Sequence, residues 1–214
     1  MEIVAIDGPS GSGKGTIAKL LAKKLNYTYI DTGAMYRCVA LVSLRENLKE
    51  TEEEKIVDLL KNMNIRLTND GEVFLNGEDV SNNIRSMEVT HRVSKISSII
   101  PLREEMREKQ RALAKDVNVV MEGRDITTEV FPNADVKIYL DASVEERARR
   151  RQLQNEEKGI KSTLEEVKSA IEERDYDDTH RPVGSLTRTE DQVYIDATNL
   201  SIEEVLDKIL EVIE

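Results

Sequence analysis

Nine residues near the amino terminus, Gly8-Pro9-Ser10-Gly11-Ser12-Gly13-Lys14-Gly15-Thr16, have the types and spacing of a phosphate cradle. Glycine at positions 8, 11, 13 and 15 permits positive φ and close backbone approach, so successive N–H groups can turn inward on an anion. Lys14 adds a mobile cation, and a helix opening beside it supplies the positive end of its dipole. The chemistry served by such a loop is the holding of a polyphosphate.

The spacing Gly8-x4-Gly13-Lys14 fits the Walker A pattern, but the hydroxyl that usually follows the lysine arrives one place later, at Thr16. A second reading lies in the same loop. Gly13-Lys14-Gly15-Thr16-Ile17-Ala18 also satisfies G-x-G-x-x-A, with Asp31 at about the distance of a ribose-binding acid, which is the signature of dinucleotide binding. The glycines, however, begin at Gly8, and a lysine stands between the last two, which favours a nucleoside triphosphate.

Further anion-binding chemistry recurs along the chain. Thr32 and Arg37 open a helix after a second strand, and Arg124 and Asp125 follow Glu122-Gly123. Four arginines fall within residues 147–151, and Arg174, Asp178 and Arg181 cluster near a helix end. Arginine suits phosphate because its planar fork bonds two oxygens and stays charged at physiological pH. His91 and His180 have no partners at zinc-ligand spacing.

The elements that must position these residues alternate. Residues 3–7 read as a buried strand, 16–25 as an amphipathic helix, and 27–30 as a second strand ending at Asp31. Later strands are expected at 118–122, 136–140 and 193–195, with helices between and after them. The pattern predicts an α/β fold, a doubly wound five-stranded parallel sheet with ligands at the carboxyl ends of its strands. Capping boxes are expected at Thr51, Ser143, Thr163 and Ser201, each with glutamate three residues on. Within residues 62–82 the period changes to two, with turns at Asp70-Gly71 and Asn76-Gly77, and predicts a small inserted antiparallel lobe. Residues 84–115 read as helical, broken at Pro101.

At 214 residues with 39% hydrophobic and 34% charged residues, the chain suits a single domain with a full core. The net charge of -11 argues against a general nucleic-acid binder, and the clustered arginines point to a focused cationic site in an acidic shell. One cysteine, Cys38, fits a reducing compartment, and no apolar run is long enough to span a membrane, so a cytoplasmic protein is expected.

A phosphate loop, arginines beyond several strand ends and a second anion site imply phosphoryl transfer to an acceptor that is itself phosphorylated. Residues 8–16, 31–37, 122–125 and 174–181 together resemble the bacterial-type cytidylate kinase family, as do Asn76-Gly77-Glu78-Asp79-Val80 and residues 136–143. The resemblance covers essentially the whole chain. It implies transfer of the γ-phosphate of ATP, with magnesium, to CMP or dCMP; a monomer is expected. Gly8, Pro9, Ser10, Gly11, Ser12, Gly13, Lys14, Gly15 and Thr16 would hold ATP with Arg147 and Arg151, and Lys14, Arg124, Arg150 and Arg181 would act in catalysis. Thr32, Arg37, Arg124 and Arg181 would hold the acceptor phosphate, with Tyr36 also at the acceptor. Ser94, Arg103 and Asp125 would read cytosine, and Arg174 and Asp178 would meet the sugar. Glu122, through water, and Thr16 are the expected magnesium partners. Residues 33–104 would form the monophosphate-binding region and 147–161 the lid, which is helical. The family often has aspartate where Glu122 stands and glycine where Thr127 stands. The rivals are a UMP or AMP kinase, a GTPase-like switch and a dinucleotide-dependent oxidoreductase; the Asn-Lys-x-Asp guanine motif is absent from the sequence.

Overall fold

A computed structural model describes residues 1–157 and 159–213. The sheet begins with β1 (Ile3–Asp7), buried at every residue, followed by the cradle and α1 (Lys14–Leu25). Next come β2 (Thr28–Asp31), α2 (Thr32–Arg45) and α3 (Glu53–Asn62). A lobe of three short strands follows, β3 (Ile65–Leu67), β4 (Val73–Leu75) and β5 (Glu78–Asp79). Two helices, α4 (Met87–Ile96) and α5 (Ile100–Leu113), lead back to β6 (Val119–Gly123). The chain finishes with β7 (Val136–Asp141), α6 (Val144–Glu157), α7 (Leu164–His180), β8 (Val193–Asp196) and α8 (Ile202–Ile213).

The large sheet has the order β2-β6-β1-β7-β8, and its neighbours pair in parallel throughout. Because β6 and β7 flank β1 on opposite sides, the chain reverses direction across the sheet at β1, so the crevice for ligands opens at that strand's carboxyl end. Helices cover both faces. Ile17 and Leu21 of α1 and Val205 and Ile209 of α8 pack on one face of β1 and β7, and Ile126 and Val130 on the other side of β1 and β6. A separate apolar cluster fills the space between α2, α3, α4, α5 and β4. The antiparallel lobe forms as expected, and both turn residues Asn76 and Gly77 have positive φ (50° and 89°), as a tight primed hairpin turn demands.

Several local expectations are corrected. Thr51 does not cap α3: Glu52 holds the cap position without a side-chain bond, its carboxylate instead accepting from Lys49 N and Lys55 Nζ. Ser143 caps Glu146 N, but its own N–H goes to Thr198, because Glu146 is taken by Arg149 and Arg150. The boxes at Thr163 and Ser201 are complete. The helical break falls at residues 97–99, and Pro101 sits in the first turn of α5, where its missing N–H costs nothing. An unanticipated π-helical turn, Ile126–Val130, follows β6. Lys158, inside the expected lid, lies outside the described residues. No helix among the described residues is long and apolar enough to cross a membrane.

Candidate active site

Beyond β1 the backbone turns at Gly8, where any Cβ would fall on the Leu140 carbonyl, and passes Gly11 (φ 82°) and Gly13 (φ 97°) into α1. Gly13 occupies the cap position with no side-chain cap, so the first N–H groups of α1 stay available for an anion. Lys14 is 5% exposed, and its Nζ donates to Pro9 O at 2.8 Å. Burial pushes its ammonium below the usual range, with Arg124 adding to the effect. Among the described residues the buried Ser12 Oγ has no partner. An anion entering the cradle would satisfy these groups together.

Two carboxylates face this loop. Asp31 and Glu122 are register partners at the ends of β2 and β6, and Glu122 Oε1 lies 3.4 Å from where a Cβ on Gly15 would stand. Burial pushes the Glu122 carboxyl up, and Asp31 acts in the same direction. Among the described residues no group of three or more His, Cys, Asp or Glu is arranged to hold a metal. One or two carboxylates beside a phosphate cradle nevertheless suit magnesium, which keeps waters and takes its remaining oxygens from substrate phosphates.

On the other side of the cleft Asp178 organises three arginines. Arg124 Nε donates to its Oδ2 at 2.7 Å, Arg181 pairs with Oδ1, and Arg174 Nε stands 3.9 Å away. Burial opposes ionisation of Asp178, but these cations hold its carboxyl at about 2. Arg37 donates to Ile84 O and Thr90 Oγ1 at 3.0 and 2.9 Å, and Thr32 Oγ1 to Glu122 O at 2.7 Å. Burial pushes Arg37 and Arg174 each down to about 10, and each is depressed further by Arg124 and Arg151. Burial also lowers Arg151, which feels Arg124 and Arg85. Half-buried cations crowded together in this way mark a place built for a multiply charged anion.

Arg103, 1% exposed, donates through Nη2 to Asp125 Oδ2 at 2.6 Å and through Nη1 to Ser97 O at 2.8 Å. Its guanidinium stands 5.4 Å from the ring of Tyr36, whose buried hydroxyl is pushed up to about 12. Ser94 is not joined to this pair. It lines a cleft of about 610 Å³ between α4 and α7, with Thr90, His91, Asp178 and Arg181. A first cleft, of about 640 Å³, holds the cradle, Asp31, Arg37, Glu122, Arg124 and Arg151, and extends past Leu153 and Gln154 to Leu200 and Ile202. Arg174 lines both clefts.

The arginines of α6 divide. Arg147 is committed to the frame, donating to Ala142 O and Ser10 O at 2.8 and 3.0 Å and pairing with Asp175 at 2.7 Å. Arg150 bonds Glu146 and Ala197 O but still lines the first cleft, as does Arg151. Sequence reasoning missed Asp7, Arg85, Gln192 and the apolar wall at Leu153, Leu200 and Ile202, and it weighed Asp31 only as a ribose acid. The segment from Ala197 to Ile202 follows the carboxyl end of β8, so the rule that ligands gather at strand ends could have found it.

A profile described as cytidylate kinase matches residues 4–214. Proteins named cytidylate kinase are similar to the chain over almost their full length: one from Geobacillus sp. is 52% identical over 98% of this chain and 95% of the relative, one from Leuconostoc mesenteroides 49% over 99% and 96%, and one from Bacillus cereus 48% over 98% and 95%. Among solved structures, a shikimate kinase from Bacteroides thetaiotaomicron superposes with a TM-score of 0.52 at 15% identity, covering 99% of this chain and 98% of its own. An uncharacterised protein from Eubacterium ventriosum gives 0.54 at 12%, covering 100% and 98%. At these identities the structures speak for the fold alone, that of a P-loop kinase.

Proposed function

The chain belongs to the cytidylate kinase family and is a kinase, and from that premise we propose that it transfers the γ-phosphate of ATP to CMP or dCMP, giving ADP and CDP or dCDP. The observation that carries the two-site reading is Arg174, which lines both clefts beside the half-buried guanidinium groups of Arg37, Arg124 and Arg151. Donor and acceptor phosphates meet at those groups.

The triphosphate lies in residues 8–16, with its base toward Leu153, Leu200 and Ile202. Lys14 leaves Pro9 O for the phosphates, and the free N–H groups of α1 take the oxygens between them. Arg37, Arg124 and Arg181, with Thr32, hold the acceptor phosphate in line. Arg174 and Asp178 face the sugar. Since Arg103 uses Asp125 Oδ2, Oδ1 remains to accept from the 4-amino group of cytosine, where uracil would oppose it with an acceptor. As charge spreads over the transferring group, Lys14, Arg124, Arg150 and Arg181 stabilise it with little reorganisation. Glu122, through water, and Thr16, with Asp31 nearby, would hold magnesium beside the donor phosphates, where it would supply further charge neutralisation. Closure of the lid over the donor excludes water and limits hydrolysis.

The single buried Cys38 fits a reducing cytoplasm. The direct test is product analysis: ATP, magnesium and CMP should give ADP and CDP in equal amounts. ADP formation that ignores added CMP would contradict the proposal.

A further inference from the structure

Asp7, the last residue of β1, is fully buried, yet it faces no cation at hydrogen-bond distance among the described residues. Its Oδ1 accepts from Ile126 N at 3.0 Å, and its Oδ2 accepts from Thr127 N at 2.8 Å and Thr127 Oγ1 at 2.6 Å. The Thr127 hydroxyl therefore spends its proton on Asp7 and keeps its lone pairs. One of these accepts from Gln192 Nε2. The orientation of that amide is set independently, because Gln192 Oε1 accepts from Thr189 N at 2.8 Å, which leaves Nε2 to face Thr127.

Three segments meet at this hydroxyl. Asp7 directly precedes the donor cradle. Thr127 stands three residues after Arg124 and two after Asp125. Gln192 ends the segment that begins at Arg181 and packs Gly184 onto the Arg103 and Asp125 side chains. All three bonding residues are at most 7% exposed, so water does not compete for the links. A glycine at 127 would leave Gln192 Nε2 with a 3.4 Å contact to Thr187 O and no tie to the turn after β6. Thr127 is also absent from the positive-φ residues, so its backbone does not call for glycine.

We infer that Thr127 is a positioning residue, whose hydroxyl ties the Arg124 and Asp125 turn and the residue 181–192 segment to β1 so that the acceptor half of the site keeps its geometry. The donor cradle is braced separately, by Arg147 on Ser10 O. The inference rests on the reading of CMP as acceptor.

The test is steady-state kinetics of Thr127→Val, which keeps the shape and removes the hydroxyl, alongside Thr127→Ser and Gln192→Leu. For Thr127→Val the KM for CMP should rise at least fivefold while that for ATP stays within twofold. Thr127→Ser should return the CMP value to within twofold of the parent. Gln192→Leu, which breaks the same link from the outer side, should shift the CMP value in the same direction and serves if Thr127→Val does not fold. A lowered melting temperature with unchanged KM for CMP, an equal rise in both KM values, or failure of serine to rescue would overturn the inference. A parent enzyme that does not use CMP at all would instead overturn the acceptor reading beneath it.

Discussion

Replacing Gly184 with alanine probes the acceptor half of the site through one methyl group. Gly184 has φ +64°, and a Cβ there would stand 2.5 Å from both Arg103 Nε and Asp125 Oδ2, whereas ordinary contact begins at 3.4 Å. Arg103 Nη2 would be nearer still, so the chain or the Arg103 and Asp125 pair must give by about 1 Å or more. Left-handed φ costs an alanine roughly 1–2 kcal/mol, which in a domain of this size lowers Tm by about 2–8 °C. The larger effect falls on function, because a misplacement of about 1 Å in a positioned group costs up to roughly a hundredfold. The expected result is a fall in kcat/KM for CMP of about ten- to a hundredfold, or about 1.4–2.7 kcal/mol, with KM for ATP within about twofold. The assay is ADP release coupled to NADH oxidation, with each substrate varied in turn and a thermal melt run beside it. Unchanged kcat/KM for CMP, or equal losses toward both substrates, would refute the placement of Arg103 and Asp125 against the acceptor base.

Lys14→Ala should lower turnover by roughly a hundredfold or more, since it removes a charge aimed at the transferring group. Because burial holds the Lys14 ammonium low, arriving phosphates should raise it, so ATP binding at about pH 8 should take up protons; calorimetry in two buffers of different ionisation enthalpy reads this, and proton release would contradict it. Asp178, held at about 2 against an ordinary 3.8, contributes stability that is complete above about pH 4 and lost as pH falls through about 2, amounting to about 2 kcal/mol. Asp178→Asn should flatten that acid limb in a denaturation series, and an unchanged limb would count against the arginine cluster. Arg37→Ala should raise KM for CMP well beyond KM for ATP, and the opposite order would place Arg37 on the donor side.

The cradle, the alternation of strands and helices and the antiparallel lobe were legible because each is encoded locally: glycine spacing, the period of apolar residues, and Asn76-Gly77 at a turn. What escaped was long-range. The bonds of Asp7 to Thr127 span 120 positions and that of Gln192 to Thr127 spans 65, so nothing in the neighbourhood of these residues announces them. Charge competition defeated other expectations. Glu146 abandons its capping box for Arg149 and Arg150, and Arg147, expected at ATP, bonds two carbonyls and Asp175. Ser94 shares its helix period with other residues of the second cleft, Thr90, His91 and Ser97.

If the arginine-lined cleft is the acceptor site, it should select cytosine monophosphates for the phosphate carried by the cradle. Initial rates with ATP and equal concentrations of CMP, dCMP, UMP and AMP test it most directly. CMP and dCMP should exceed UMP and AMP by at least about tenfold in kcat/KM, about 1.4 kcal/mol of transition-state discrimination. Equal rates across the four acceptors would contradict it.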